Sequence, residues 1–389
     1  MESPNCIWRR VTIDPQRQFC HNPDCSARGQ VGQGNITIHS QKEQRYRCTA
    51  CGRTFTATTG TPFYRLRTAV DVVTLVLTVL CHGCPLQAIV AAFGFDERTV
   101  AQWQARGGHH CRHVHGHLVQ QGEVDLGHVQ AADLWIKLVG TRVWMALALA
   151  VPSRLWLGGV LSPHRDRALL TTLGQMGRSC ARRLAILVCV DGCASYVTAF
   201  QRVFRYAVRT GRPGRPRLVG EPGLLIGQVV KRYAQRRVVG VVHRVVRGTT
   251  EAIAAALAVT GGGTVINTAY IERLNATFRS ALAPLVRRGR ALAHTEEVLT
   301  AGMYLVGCAY NFCWYHRSLR LRALKAAQQK WQERTPAMAA GLTDHCWTMQ
   351  ELLRYQVPLP AWVPPKRRGR PPKQKPQTGD GRGGLTDHG

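Results

Sequence analysis

Acidic residues are scarce in this chain: 22 Asp and Glu stand against 52 Lys and Arg, giving a formal net charge of +30 and a pI near 10.5. So large a deficit of one sign points to a polyanionic partner, of which nucleic acid is the commonest. Long apolar runs are lacking too. The longest near the N-terminus, Ala69 to Leu80, is too short to span a bilayer and is interrupted by Asp71, which argues against a membrane protein. Nor do the first residues, Met1 to Asn5, open a basic segment followed by a hydrophobic one, so no secretion signal is visible. Cysteine, in contrast, is plentiful: the 14 Cys, without a signal peptide, fit a reducing, cytoplasmic setting in which some of them bind metal. At 389 residues the chain can hold two or three domains and a sizeable core without disulfides.

The first organised segment, residues 1–62, reads as a zinc ribbon. Cys20 and Cys25 form one short-spaced pair and Cys48 and Cys51 another, on either side of an expected hairpin, with Gly52 allowing a tight turn after the second pair. Two such pairs can offer four thiolates to one tetrahedral Zn²⁺ with no open position, so the zinc is expected to be structural. Cys6 and His21 are spare candidates for a ligand place. Ordinary buried cysteines are the competing reading.

Residues 63–108 read as a helix-turn-helix. An apolar helix over 68–82 is followed by one starting at Pro85 and, after a turn at Gly94, by a third that Asp96 N-caps and that runs from Glu97 to Arg106. Val90 and Val100 are spaced to meet across the turn, leaving Arg98, Thr99, Gln102 and Arg106 outward as DNA contacts. A plain three-helix core fits the same spacing. The His-, Gly- and Gln-rich stretch that follows, 109–127, reads as a solvated linker, its histidines too irregular for a metal site.

The remainder reads as α/β. Strand-like runs at 128–138, 142–151 and 154–161 suggest an antiparallel meander, a helix over about 166–180 returns the chain, and Leu184 to Val190 is an unbroken apolar run ending on Asp191 and Gly192. That order is ribonuclease-H-like, with the first and fourth strands as neighbours, so that carboxylates on them, Asp133 and Asp191, can share a cation. An Asp before Gly can equally serve to cap the next helix. A Gly/Pro/Arg loop at 209–217 and two further strands read as a basic β-hairpin inserted at about 209–250. On the helix that follows, Thr268, Glu272, Asn275 and Arg279 share a polar face and Ile271, Leu274 and Phe278 an apolar one. A carboxylate flanked by Asn and Arg suits a metal ligand beside a phosphate contact, although a surface salt-bridge face has the same period.

Asn267-Thr-Ala-Tyr-Ile-Glu272-Arg-Leu-Asn275-Ala-Thr-Phe-Arg279, with Tyr310-Asn-Phe-Cys-Trp-Tyr-His-Arg-Ser-Leu319 after it, resembles the catalytic end of bacterial insertion-sequence transposases of the DDE class, in particular the insertion sequence one group. The resemblance covers most of residues 20–356. It implies a zinc ribbon and helix-turn-helix ahead of a ribonuclease-H-like domain over 128–320. It also implies a catalytic trio, Asp133, Asp191 and Glu272, holding two Mg²⁺ that drive strand cleavage and strand transfer. Partners would be double-stranded DNA, both transposon ends and target, and further copies of the chain assembled on it, in the cytoplasm at the nucleoid. One departure matters: where the family writes Asp-Glu before a hydrophobic residue and Trp, this chain has Ala132-Asp133-Leu134-Trp135. Strict alignment therefore puts Ala132 at the metal-ligand place, and a one-residue shift along a strand reverses the face. An inactive copy or a DNA-binding regulator is the alternative, and Asp125 is the reserve candidate should the first strand be misassigned.

Residues 321–358 are expected to be helical. The basic tail, 359–389, contains an AT-hook-like Pro-Pro-Lys-Arg-Arg368-Gly-Arg370-Pro-Pro, whose Arg368 and Arg370 would enter a narrow minor groove, in an otherwise disordered stretch.

Overall fold

The computed structural model describes residues 14–209, 211, 214–235, 237–286, 293–322 and 330–364. Cys6, Arg368 and Arg370, and with them the AT-hook reading, lie outside the described residues. The chain is α/β and divides into two compact units, one from its first 57 residues with those from Pro358 onward, the other Thr58–Val357.

In the smaller unit three short strands, β1 (Ile36–Ser40), β2 (Arg45–Cys48) and β3 (Thr54–Thr56), form an antiparallel sheet. Gln44 and Gly52 take positive φ, 51° and 70°, at the two reversals. Too few apolar residues lie here to build a large core. Ala27, Ile36, Tyr46 and Phe55 close around the cysteines instead.

The larger unit starts with the three expected helices, α1 (Val70–Cys81), α2 (Leu86–Phe93) and α3 (Glu97–His115). Gly94 ends α2 in the left-handed conformation, φ 68°, and the Asp96 carboxylate accepts the Thr99 amide at 3.1 Å to start α3. The third helix does not stop at Arg106, and residues 109–127 are not the solvated linker their composition suggested. α3 continues to His115 and widens over Gly116–Gln120, burying His110, Cys111, Val114, His115 and Val119. Apolar residues and glycines at helical spacing outweigh the polar histidines between them. Gly108 lets α3 lie directly on α8 (Glu296–Cys308): a Cβ there would come within 2.3 Å of the Ala301 carbonyl oxygen. The helices thus share one core with the sheet instead of forming a domain of their own over 63–108.

The central sheet has six strands in the order β11-β10-β7-β4-β5-β6. β4 (His128–Lys137), β5 (Arg142–Ala150) and β6 (Leu155–Ser162) make the antiparallel meander, α4 (Arg167–Cys180) crosses over, and β7 (Leu187–Asp191) pairs parallel with β4. α5 (Ala194–Val203) follows, and the Gly/Pro/Arg loop closes a small pair, β8 (Arg205–Val208) with β9 (Arg217–Gly220).

The hairpin expected as an insertion is instead part of the sheet. β10 (Leu225–Ala234) runs parallel to β7, and β11 (Arg237–Arg247) pairs antiparallel with it at the edge. Ile226 and Val229 are buried, which commits β10 to the interior; only its outer half, from Lys231 on, projects into solvent with β11. α6 (Thr250–Thr260), with Ile266 from the loop after it, covers the sheet face that Leu187, Cys189 and Val229 present, and α7 (Ala269–Ala281) packs against β4 and β5. The described part of 321–358 holds only two short helices, α9 (Pro336–Ala339) and α10 (Met349–Arg354), because Pro336, Gly341 and the capping Thr335 and Thr348 break the segment up.

The α3–α8 contact has a direct test. Gly108→Ala should destabilise the chain by about 1–3 kcal/mol, since two backbones at close range cannot absorb a methyl group. Thermal unfolding measures it, and an unchanged Tm would contradict this packing.

Candidate functional site

Parallel pairing of β4 with β7 sets the geometry of the acidic residues. The register runs Val129↔Val188, Gln130↔Cys189 and Ala131↔Val190, so the next step along both strands brings Ala132 level with Asp191. Gln130 reaches toward α7: its Oε1 accepts the Tyr270 and Ile271 amides, both at 3.0 Å, and its Nε2 donates to the Asn267 carbonyl at 2.8 Å. This buried side chain satisfies the free amides of the first turn and fixes α7 against β4. Strand alternation then puts Ala132 on the α7 face and Asp133 on the other.

Glu272 opens into a cleft of about 640 Å³ whose lining includes Ala132, Asp133, Asp191, Lys231, Asn275 and Arg279, with Thr268 beside them. The polar face read on α7 is therefore the cleft wall, and Ile271, Leu274 and Phe278 are buried behind it. Lys231 Nζ pairs with Glu272 Oε1 at 2.8 Å, and Thr268 Oγ1 donates to the same oxygen at 3.1 Å. The bond to Glu272 raises the Lys231 pKa. Asn275 is buried, and its Oδ1 has no hydrogen-bond partner among the described residues.

Asp133 points away into a cation pair. Arg165, in the connection from β6 to α4, brings Nε to 2.7 Å from Asp133 Oδ2 and Nη2 to 3.0 Å from Oδ1; the same Nη2 lies 2.9 Å from Asp191 Oδ2. Tyr196 of α5 donates its hydroxyl to Asp133 Oδ1 at 2.9 Å. The Asp133 side chain is 2% exposed, that of Asp191 42%. Burial opposes the Arg165 charge, but the bond and charge of Asp133 outweigh it and push the pKa up. Burial, and then Asp133, raise the Tyr196 pKa. Burial also raises that of Asp191, whose Oδ1 accepts the Cys193 amide at 3.0 Å. Asp191 thus does both things its position allowed, shaping the turn into α5 and facing the cleft.

Among the described residues, only Cys20, Cys25, Cys48 and Cys51 form a group of three or more possible ligands close enough to share one ion. Asp133, Asp191 and Glu272 all line the one cleft but do not form such a group: as held, Arg165 bridges Asp133 and Asp191, and Lys231 pairs with Glu272. The four thiols do fit a metal. Their ligand atoms lie within 4.8 Å of one another, with Sγ–Sγ edges of 3.7 Å (Cys20–Cys51) and 3.9 Å (Cys25–Cys48). A tetrahedron with bonds of about 2.3 Å has edges close to these, compatible with structural zinc. His21 stands outside the set, packed on Phe19 and Phe55, with burial lowering its pKa to about 4.

On α3, Arg98 and Gln102 are exposed and Thr99 half-buried, as expected of outward residues. Arg106 is not free to reach a partner: it is half-buried and donates to the Tyr64 carbonyl. No protein-family model and no curated protein matches the chain.

Sequence reasoning missed Arg165, Lys231 and Gln130. No local pattern marks the first two, which meet their carboxylates only through the fold. Gln130 did carry a signal, as a polar side chain in an otherwise apolar run of strand.

Purified protein should contain one metal ion per chain, lost together with the structure of the smaller unit in Cys48→Ser. Elemental analysis decides this; a metal-free, folded wild type would rule the site out.

Proposed function

We propose that the chain is a DNA-binding protein built on the plan of a DDE transposase, with an acidic centre that as folded cannot hold its metals. The meander followed by two parallel strands supports a ribonuclease-H-like reading of the sheet, and the four-cysteine cluster supports a structural zinc. The formal charge of +30, the exposed Arg98 and Gln102 and the Arg279-lined cleft support double-stranded DNA as the partner. The observation that carries the proposal is Ala132 level with Asp191: the place on β4 that faces Glu272 across the cleft has no carboxylate.

A second reading, an active transposase cutting and joining DNA through Mg²⁺, draws on one feature. Asp133 and Asp191 both reach Arg165 within 3.0 Å, so their oxygens are near enough to share a cation were the guanidinium to leave.

A single assay separates the two. Mg²⁺-dependent cleavage of a duplex carrying the element's ends is measured for wild type, Asp133→Ala and Ala132→Asp, with binding followed in parallel. The proposal expects wild type to bind but cut poorly, and Ala132→Asp to raise cleavage by orders of magnitude, because one missing ligand removes most of the activity of a two-metal site. An active wild type silenced by Asp133→Ala would instead establish the second reading. Loss of DNA binding altogether would remove both.

A further inference from the structure

The pair of carboxylates at the rim of β4 and β7 already has a cation, and it belongs to the chain. The Arg165 fork meets both oxygens of Asp133, while one of its nitrogens also meets Asp191. Planar two-point pairing of this kind is the strongest geometry available to a guanidinium and a carboxylate. The guanidinium is also held from its face, 5.2 Å from the centre of the Trp144 ring on β5. Its backbone is anchored next door, where the Asp166 carboxylate accepts the Leu169 amide at 2.9 Å and starts α4. Asp133 gains a third bond from Tyr196. A buried carboxylate deprived of its counter-charge is costly, so Arg165 does not leave without a replacement of equal or greater charge.

We propose that Arg165 is the resident cation of this acidic centre, filling with its guanidinium the position between Asp133 and Asp191 that a divalent ion would otherwise take. Metal binding there and Arg165 pairing then exclude each other. The inference does not depend on any reaction with DNA, because it concerns the occupancy of the site in the chain alone.

The test titrates the full, zinc-loaded chain with Mn²⁺ and reads the free ion by electron paramagnetic resonance. Wild type should show no Mn²⁺ binding that depends on Asp191. Arg165→Gln, which keeps length and hydrogen bonding but loses the charge, should bind Mn²⁺ at least about tenfold more tightly, and adding Asp191→Asn should abolish the gain. The proposal is overturned if wild type binds Mn²⁺ as tightly as Arg165→Gln, or if Arg165→Gln gains nothing. Should Arg165→Gln not fold, wild type and Asp191→Asn decide alone: Mn²⁺ binding by wild type that Asp191→Asn removes contradicts the proposal, and equal behaviour of the two upholds it.

Discussion

The parallel ladder between β4 and β7 is the constraint on which the site depends. Side chains alternate along a strand, so one register fixes the face of every residue on both strands at once. With Gln130 opposite Cys189, Gln130 must face α7, and its amide group holds that helix by the first turn. Ala132 must then face the same way, beside Asp191, and Asp133 must face α5. A slip of the strand by one residue would exchange the two faces, turning Leu134 and Ile136 outward while driving Trp135 and Lys137 inward.

The charges around this frame are of two kinds. Lys231 and Glu272 are both well exposed, and such a pair contributes roughly 0–1 kcal/mol. Asp133 and Arg165 differ, since the carboxylate is desolvated and all its nearest partners are donors. Breaking that kind of pair from one side costs about 3–5 kcal/mol when both groups are buried, and less here because Arg165 is partly solvated. A positively charged chain thus carries a cleft whose acidic groups are paired with cations of the chain itself, with Asn275 buried in its wall.

Much of the frame was legible in the sequence because it rests on local pattern. Apolar runs gave the meander and β7, helical spacing gave the two faces of α7, and paired spacing gave the four thiols. What escaped was decided by tertiary context. The histidines of 109–117 looked solvated, yet glycines at 107 and 108 bring α3 onto α8 and bury His110 and His115. The stretch at 225–234 looked like part of an insertion, because a strand at the centre of a parallel pair and the arm of a hairpin have the same composition. Arg165 is one arginine among many, and nothing near it in sequence shows that it would find Asp133 and Asp191. The doubt over Ala132 and Asp133 was legible too, but only the register against β7 assigns the faces.

That assignment is the central claim, and thiol accessibility tests it most directly. Ala132→Cys and Asp133→Cys are each treated with a small charged methanethiosulfonate, and the extent of labelling at that peptide is followed by mass spectrometry in the folded chain. The account expects the thiol at 132, open to the cleft, to be labelled quickly and to be protected by DNA, and the thiol at 133 to be labelled slowly with or without it. Faster labelling at 133 than at 132 would contradict it.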